Sequence, residues 1–404
     1  MLDNRMHRVE SSCAHRCGSA KKIKQYARTP GGNIFALIMT AVLIFIGAGM
    51  GTAQGQTQGQ NREQGEQQGK EDTQNYATIF VYHRFGDERY PSTNISVELF
   101  EQHLRYLRDN AYTVLPVSEI VARLRRGEAL PPRCVGLSAD DAYASVLSGA
   151  VPLLDAYKMP MTLFVNPGSI GGDSYLTWEQ LRQLDAKDNI EIGNHSDRHP
   201  YFVSMAQHGS AAWRKQAHAD IANAQQAFVK HLGYSPQLFA YPYGEFSPEL
   251  MELVKEMGFI GALGQQSGPA GSTSPLFALP RFPMGGIYVG MERLRSNLSM
   301  AALDIDILRP ETGLLASADP APELVFKINN PHLQISTMKC YIQGQEPVRP
   351  QVVDAQERIY KVQATAPLQG RRNKYTLTAQ DTDNRWYWFS QPWVQPEIEE
   401  TYQE

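Results

Sequence analysis

The sequence predicts an α/β fold with a largely parallel sheet, followed by a smaller all-β part. From residue 76 to about residue 263, short apolar runs alternate with stretches whose apolar residues recur at helical spacing. Six or seven such strand–helix units favour a barrel over an open sheet. Beyond residue 308, five stretches alternate apolar and polar residues or are rich in aromatics, and none shows a helical period. That pattern is typical of a small β-sandwich.

The individual elements follow from their patterns and end signals. Strands of the first part are predicted at residues 77–83, 112–115, 135–138, 161–166, 190–193, 238–241 and 259–263. Helices are predicted at residues 96–110, from 118, at 142–157, from 177 with a Thr177/Gln180 capping box, at 211–232, and from Ser247-Pro248. The later strands are predicted at residues 324–328, 335–343, 358–364, 374–380 and 386–393.

The first 75 residues predict export. Residues 1–33 carry seven Lys and Arg, and residues 34–50 form an uncharged apolar run of 17 residues. Basic residues before such a run orient the N-terminus towards the cytoplasm, so residues 34–53 are either a cleaved signal peptide or a signal anchor. Residues 54–75 hold no aliphatic or aromatic side chain and predict a flexible linker.

Composition narrows the class of partner. The chain has 404 residues and a net charge of -4, without the basic excess that nucleic-acid binding requires, so no nucleic-acid partner is expected. The pattern divides the rest of the chain into a domain at residues 76–307 and a β-sandwich at residues 308–404. Cys134 and Cys340 fall in different predicted domains, so they are expected to be buried free thiols.

Chemistry-bearing residues gather where predicted strands end. Asp140 and Asp141 follow the strand at 135–138, and adjacent carboxylates repel each other unless a cation is near. An ordinary pair of helix-capping aspartates is the alternative. His195 and His199 follow the strand at 190–193, and histidines four residues apart on a turn can bind one cation, or simply lie on the surface.

A third group, Phe-Ala-Tyr-Pro-Tyr-Gly at residues 239–244, ends the strand at 238–241. Pro242 and Gly244 fix a tight loop that can aim backbone N–H groups at a ligand, although an ordinary turn has the same composition. The three groups in this order resemble the polysaccharide deacetylases, the NodB-homology domain of carbohydrate esterase family 4. The resemblance covers about 230 residues, and Val-Tyr-His-Arg at 81–84 is similar to the start of the exopolysaccharide-deacetylase branch.

The resemblance implies a distorted (β/α)7 barrel and a role for each matching residue. Asp140 matches the general base, and Asp141, His195 and His199 match the ligands of a divalent metal, with zinc favoured. Tyr243 matches the residue whose backbone N–H holds the oxyanion, and Tyr241, Pro242 and Tyr243 match the substrate-binding loop. The implied reaction is hydrolysis of a linear amide by metal-activated water.

Two departures from the family pattern give two hypotheses. The arginine that usually opens the third motif and pairs with the catalytic base is Ala240 here, so Arg281 is proposed to supply the cation. The usual Leu-x-His motif with the general acid is absent before residue 310, and His83, at the end of the first predicted strand, is the candidate. A buried structural histidine is the alternative at that position.

These observations predict an exported enzyme, periplasmic or at the cell surface, that removes N-acetyl groups from a polysaccharide containing N-acetylglucosamine. The expected partners are the acetylated polysaccharide and, if the signal segment is not cleaved, the inner membrane through residues 34–50. An O-acetyl polysaccharide esterase and a catalytically weak glycan-binding protein remain as alternatives. The aromatics at residues 386–393 either stack on sugars or pack in the core and against the barrel.

Overall fold

The computed structural model describes residues 75–315 and 321–400. The predicted basic segment, the signal segment at 34–53 and the linker up to residue 74 lie outside the described residues. Among the helices of the described part, none is both long and apolar enough to cross a membrane.

A curled nine-stranded sheet forms the first part of the fold and confirms the predicted α/β class. Its strands are β1 (Tyr76–Tyr82), β4 (Thr113–Leu115), β5 (Cys134–Asp140), β6 (Met161–Val165), β7 (Ile190–Asn194), β8 (Leu238–Ala240), β9 (Gly261–Leu263), β10 (Ala270–Gly271) and β11 (Phe282–Pro283). The path β1-β5-β6-β7-β8-β9 is parallel throughout, so the carboxyl ends of these strands meet on one side. A separate short pair consists of β2 (Arg84–Phe85) and β3 (Asn94–Ile95).

One short stretch pairs with both ends of this parallel path. Leu279 bridges Leu263 of β9 in parallel, and its backbone exchanges hydrogen bonds with Ala262 and Gly264. A few residues on, β11 pairs in parallel with β1. This stretch therefore lies between the first and last parallel strands and carries Arg281 to the carboxyl ends of the sheet.

Seven α-helices connect the strands of the described part. They are α1 (Val97–Asp109), α2 (Val117–Arg126), α3 (Val151–Tyr157), α4 (Trp178–Asp185), α5 (Ala211–Leu232), α6 (Pro248–Glu256) and α7 (Met291–Leu298). Their starts agree with the sequence signals: Ser96 and Ser247 cap α1 and α6, and both bonds of the Thr177/Gln180 capping box are present. The apolar faces of α1, α3 and α4 pack on one side of the sheet with β1, β5 and β6.

The helix predicted at residues 142–157 starts later than the sequence indicated. Asp141 and Ala142 have φ angles of 73° and 55°, in the left-handed region, so the chain cannot enter a right-handed helix there. A short π-helical turn (Val146–Ala150) precedes α3 instead. The delayed start leaves the Asp140-Asp141 pair on an irregular loop at the sheet edge.

The remaining strands form two four-stranded sheets, here called the C-terminal sheet pair. Its strands are β12 (Ala301–Ala302), β13 (Ile305–Arg309), β14 (Glu323–Ile328), β15 (Leu333–Ile342), β16 (Gln351–Asp354), β17 (Ile359–Gln363), β18 (Arg372–Asp381) and β19 (Trp386–Val394). One sheet has the order β12-β19-β18-β15 and the other β13-β14-β17-β16. Side chains from both sheets, among them Phe326, Cys340 and Trp393, form one buried cluster.

The aromatic side chains of β19 follow the packing interpretation. Trp393 is fully buried in the C-terminal sheet pair, against Tyr375. Trp388 packs on Phe282 of β11 with ring centroids 5.6 Å apart, and its Nε1 donates to the Ser267 carbonyl 2.8 Å away. Cys134 and Cys340 are both buried and free, as the sequence predicted.

Candidate active site and metal centre

The candidate site lies where β5, β7 and β8 end. Asp140 is the last residue of β5, His195 follows β7 directly, and the loop that contains Tyr243 follows β8. Because these strands are parallel neighbours in the order β5-β6-β7-β8, the residues after them meet at one edge of the sheet.

Asp141, His195 and His199 come together with their ligand atoms facing one another. An Asp141 Oδ1 lies 3.5 Å from the Nε2 of each histidine, and the two Nε2 atoms are 3.1 Å apart. All three ligand atoms lie within 4.8 Å of one another, in a group that is buried or half-buried. Donors about 2.0–2.2 Å from a tetrahedral ion lie about 3.3–3.6 Å from each other. The triangle, with edges of 3.5, 3.5 and 3.1 Å, is close to this size.

The backbone fixes how the two histidines present their nitrogens. His195 Nδ1 donates to the Ala240 carbonyl at 2.8 Å, which leaves the lone pair on Nε2, the atom that faces Asp141. The His199 turn is held by Ser196, whose Oγ accepts from the His199 N–H at 3.0 Å, and Ser196 N–H in turn donates to Asn194. Ser196 thus orients the loop that carries both ligands.

Burial keeps both imidazoles neutral. Desolvation lowers the pKa of His195 and of His199 to about 4, against the opposing charge of Asp140. Neutral imidazole is the form that binds a metal ion. The donor set, one carboxylate and two neutral imidazoles aimed at a common point, therefore fits a divalent cation such as zinc.

Asp140 is held by Arg281 rather than by the ligand group. The guanidinium donates to Asp140 Oδ1 at 2.7 Å and to Oδ2 at 2.8 Å, and both side chains are fully buried. Burial alone raises the pKa of Asp140, but the charge of Arg281 and its hydrogen bonds outweigh this effect, so the pKa lies well below its usual value. The Asp140 carboxyl is therefore ionised at neutral pH, 3.9 Å from His195 Nε2.

Further hydrogen bonds fix Arg281 itself. Its Nε donates to the Gly264 carbonyl at 2.8 Å, and an Nη donates to Ser138 Oγ at 3.2 Å. Ser138 Oγ in turn donates to the Phe80 carbonyl at 2.7 Å. The guanidinium thus ties β1, β5 and the segment after β9 together beneath Asp140.

Strained backbone concentrates at this edge. Asp141, Ser196, His199 and Tyr243 all have left-handed φ angles, of 73°, 65°, 53° and 60°. A left-handed residue other than glycine costs of order 1–3 kcal/mol and persists where the surrounding structure enforces it, most often at functional sites. Their clustering marks the same edge that the ligand geometry marks.

The loop after β8 places its residues in different surroundings. The Tyr243 ring packs against His199, with centroids 4.3 Å apart, and stacks on Tyr201 at 3.7 Å. Tyr241, by contrast, is fully buried and its hydroxyl donates to the Phe277 carbonyl, and Pro242 is buried as well. The structure therefore brings the Tyr243 side chain to the candidate site but not the side chains of Tyr241 and Pro242.

His83 follows β1 and is half-buried. His83 lies near enough to Asp140 and His199 to lower the pKa of both through its charge. His83 therefore belongs to the surroundings of the candidate site, on the same side of the sheet as the ligand group.

Several residues at the site were not singled out by sequence reasoning. Gln265 Nε2 lies 3.4 Å from Asp140 Oδ2, and Tyr201 forms the stack with Tyr243. Arg372 of β18 lies 5.5 Å from the Tyr243 ring. Tyr201 stands two residues after His199 and could have been noticed there, but nothing in the sequence connects the other two with residues more than a hundred positions away.

The family model for polysaccharide deacetylase matches residues 127–262, which include all three motifs. Residues 127–262 are therefore assigned to a polysaccharide deacetylase domain, and the domains of this kind are hydrolases. This confirms the family and the enzyme class expected from the motifs.

Two curated relatives illustrate the extent of the match. The protein YxkH of Bacillus subtilis (strain 168) is 25% identical over 203 residues, which are 50% of this chain and 69% of that protein. The poly-beta-1,6-N-acetyl-D-glucosamine N-deacetylase of Escherichia coli (strain K12) is 24% identical over 231 residues, or 48% of this chain. The match spans only 34% of the E. coli protein. The name of the E. coli relative supports the exopolysaccharide-deacetylase branch.

Among solved structures, the Streptococcus pyogenes deacetylase PplD, determined in complex with acetate, is similar to this chain. The TM-score is 0.50 with 20% identity, and the match covers 55% of this chain and 98% of that one. At this identity the similarity shows the fold alone, and it agrees with the α/β sheet described above.

Proposed function

We propose that this protein is a metal-dependent N-deacetylase of an extracytoplasmic polysaccharide that contains N-acetylglucosamine. The observation that carries the proposal is the triangle of Asp141, His195 and His199 beside the ionised Asp140. A metal-ligand group next to a separate carboxylate base is an arrangement that can activate water for the hydrolysis of an acetamide. The polymer is suggested by the printed name of the E. coli relative.

Asp141, His195 and His199 would hold the metal ion, zinc by preference, and Asp140 would be the general base. Such an ion, when bound, activates water and polarises the acetyl carbonyl. Asp140 takes a proton from the attacking water, and Arg281 keeps its carboxylate ionised and in place. Because Arg281 donates to both carboxylate oxygens, it also fixes which lone pairs of Asp140 remain for that proton.

Two residues would complete the reaction. The backbone N–H of Tyr243 would donate to the acetyl carbonyl oxygen as it becomes an oxyanion. The left-handed φ of Tyr243 supports this since it turns the peptide away from regular structure. His83 would protonate the leaving amine, because it lies near the base on the same side of the sheet. Tyr241 and Pro242 would act through the backbone of the loop rather than through their side chains.

We also propose a domain architecture and a location outside the cytoplasm. The curled sheet, with the stretch at 279–283 between its first and last parallel strands, supports a distorted (β/α)7 barrel. The common buried cluster of the C-terminal sheet pair supports a β-sandwich, and the divisions at residues 76–307 and 308–404 remain predictions. The basic and apolar runs at residues 1–33 and 34–50 support export, with or without retention in the membrane.

The test is acetate release by the purified chain from oligomers of β-1,6-linked N-acetylglucosamine, run beside an O-acetylated polysaccharide. The proposal predicts release from the N-acetylated oligomer and the appearance of one free amine for each acetate. An Asp140→Asn variant, which retains the shape of the base, should lose this activity. Release from the O-acetylated polymer alone would assign an esterase instead, and bound metal with no release from either would assign a glycan-binding protein.

A further inference from the structure

Arg371, directly before β18 in the C-terminal sheet pair, reaches the loop that follows β8. Its guanidinium uses all five N–H groups: two donate to the Glu245 carboxylate at 2.6 and 2.7 Å, one to Ser204 Oγ at 2.6 Å, and two to the carbonyls of Pro396 and Ile398 at 2.9 Å. The side chains of Arg371 and Glu245 are 3% and 2% exposed. A fully bonded, desolvated pair of this kind has a single geometry.

Two partners of Arg371, Glu245 and Ser204, lie close in sequence to residues of the site. Glu245 is two residues after Tyr243, and Ser204 ends the short turn Phe202–Ser204 after Tyr201. One guanidinium thus holds the loop after β8 and the loop after β7 at a fixed spacing. These are the two loops that carry the proposed oxyanion donor and the proposed ligand His199.

The same guanidinium also ends a column of side chains that contact one another, in which the Tyr243 and Tyr201 rings are stacked. His199 packs on the Tyr243 ring at 4.3 Å, Tyr243 stacks on Tyr201 at 3.7 Å and an angle of 5°, and the Arg371 guanidinium lies 4.3 Å from the Tyr201 ring. Each group in the column limits the movement of the next. The column leads without a gap from a proposed metal ligand to a residue of the C-terminal sheet pair.

We propose that Arg371 is a positioning residue for deacetylation. Through Arg371, the C-terminal sheet pair becomes part of the active site. Arg371 acts by holding Glu245 and Tyr201, which set the place of Tyr243 and His199. This inference rests on the proposed deacetylase function and goes beyond it, because it assigns a role in catalysis to the C-terminal sheet pair, which lies outside the matched residues 127–262. Arg372, the next residue, adds a second contact, to the Tyr243 ring at 5.5 Å.

The experiment compares Arg371→Lys with the wild-type full-length chain in acetate release, zinc content and thermal unfolding. Lysine keeps the positive charge opposite Glu245, so the buried carboxylate retains a partner and the fold is retained, but the planar stack and the fork of donors are lost. The second variant, Arg371→Met with Glu245→Gln, removes both charges and leaves no buried charge unpaired. The matched control is Arg358→Ala, because Arg358 also donates to two carbonyls of the C-terminal sheet pair, those of Asn330 and Pro331, but has no contact with the site loops.

The inference predicts that kcat falls at least about tenfold in both Arg371 variants while KM stays within about twofold and zinc content is unchanged, because the loops are misplaced but not lost. The Arg358 variant should retain the wild-type kcat. A wild-type kcat in folded Arg371→Lys and in the double variant would overturn the inference and leave the proposed function intact. Absence of acetate release from the wild-type chain itself would overturn the proposed function, and the inference with it.

Discussion

At the scale of single residues, Arg281 replaces a cation that the third motif lacks. Position 240, where the family pattern has an arginine, is a fully buried alanine whose carbonyl accepts from His195. Arg281 instead reaches Asp140 from the stretch at residues 279–283, which pairs with both β9 and β1. Arg281 lies 141 positions after Asp140 in the chain. The charge beside Asp140 thus comes from a residue outside the third motif.

Replacing Arg281 with alanine should affect both stability and turnover. The change leaves the Asp140 carboxylate buried without a charged partner, and breaking such a pair costs about 3–5 kcal/mol of the free energy of unfolding. We expect kcat to fall about a hundredfold, since the proposed base loses its fixed orientation. Denaturant unfolding and acetate release measure the two effects.

The double variant Arg281→Met with Asp140→Asn is the control for stability. It has no unpaired buried charge, so its free energy of unfolding should return towards that of the wild type while its activity stays absent. A single Arg281→Ala variant with normal stability and normal kcat would remove Arg281 from the account.

At the scale of elements, the site is built from the loops after β5, β7 and β8, and each loop contains left-handed residues. The loop after β8 packs closely against Gln265. Gly244 has a φ of +71°, and a Cβ added there would lie 2.5 Å from the Gln265 Cβ and 2.7 Å from the Gln265 backbone nitrogen. The loop conformation therefore depends on glycine both for its φ and for the close approach.

Gly244→Ala should destabilise the protein by about 1–3 kcal/mol and reduce kcat more than tenfold, because the clash displaces the Tyr243 N–H. Gly233→Ala is the matched control. Gly233 ends α5 with a φ of +89° but has nothing within 4 Å of an added Cβ, so it tests the cost of φ alone. Equal kcat in the two variants would mean that the loop after β8 tolerates displacement.

A buried histidine on α1 gives the fold a dependence on pH that is separate from the metal ligands. His103 is fully buried, its Nε2 donates to the Val289 carbonyl at 2.8 Å, and Tyr82 lies 3.1 Å from its Nδ1. Burial lowers the pKa of His103 from 6.5 to about 4, against the bond to Val289. The unfolded chain therefore binds a proton between pH 6.5 and pH 4 that the folded chain does not bind.

The free energy of unfolding should consequently fall as the pH drops from 6.5 to 4, with up to about 3 kcal/mol from His103, and the loss should level off below pH 4. His103→Gln removes the titration and retains polar partners for Tyr82 and Val289. Denaturant unfolding of both proteins at a series of pH values measures the difference, and an unchanged slope in the variant would show that His103 titrates normally in the folded chain.

Sequence patterns predicted the starts of several helices but missed other elements. Caps and periodicity placed the helix starts at Ser96, Thr177 and Ser247 because these signals are local. The late start of α3 was missed, since the left-handed Asp141 and Ala142 are imposed by the site rather than by residue preference. The sequence also gave no sign of α7 or of the edge strand β16, whose four residues are all exposed and so lack alternation.

At the scale of the whole molecule, long-range pairs decide the shape of the site. Asp141, His195 and His199 could be grouped from the sequence because a family pattern connects them, and Arg281 because a cation was missing. The contact of Arg371 with Glu245, 126 positions apart, had no such guide. It depends on how the C-terminal sheet pair packs on the first sheet, with Trp388 against Phe282 as another part of the same contact.

Metal binding should stabilise the whole chain, because the ligand group exists only in the folded protein. Zinc at about a hundred times its dissociation constant adds about 2.7 kcal/mol to the free energy of unfolding, so the thermal midpoint should rise with zinc and fall with a chelator. In the His199→Ala variant the shift should be much smaller. An equal zinc shift in wild type and variant would place the stabilising ion elsewhere.

The most direct measurement is acetate release from N-acetylglucosamine oligomers by the chelated wild-type chain as zinc is added back in steps up to one equivalent. The account predicts no release without metal, a rise that is complete near one zinc per chain, and no rise in Asp141→Asn or His199→Ala. Two results would contradict the proposal that Asp141, His195 and His199 form the catalytic metal centre. One is full activity in the chelated chain with no metal detectable by mass spectrometry. The other is a recovery of activity in the ligand variants that equals that of the wild type.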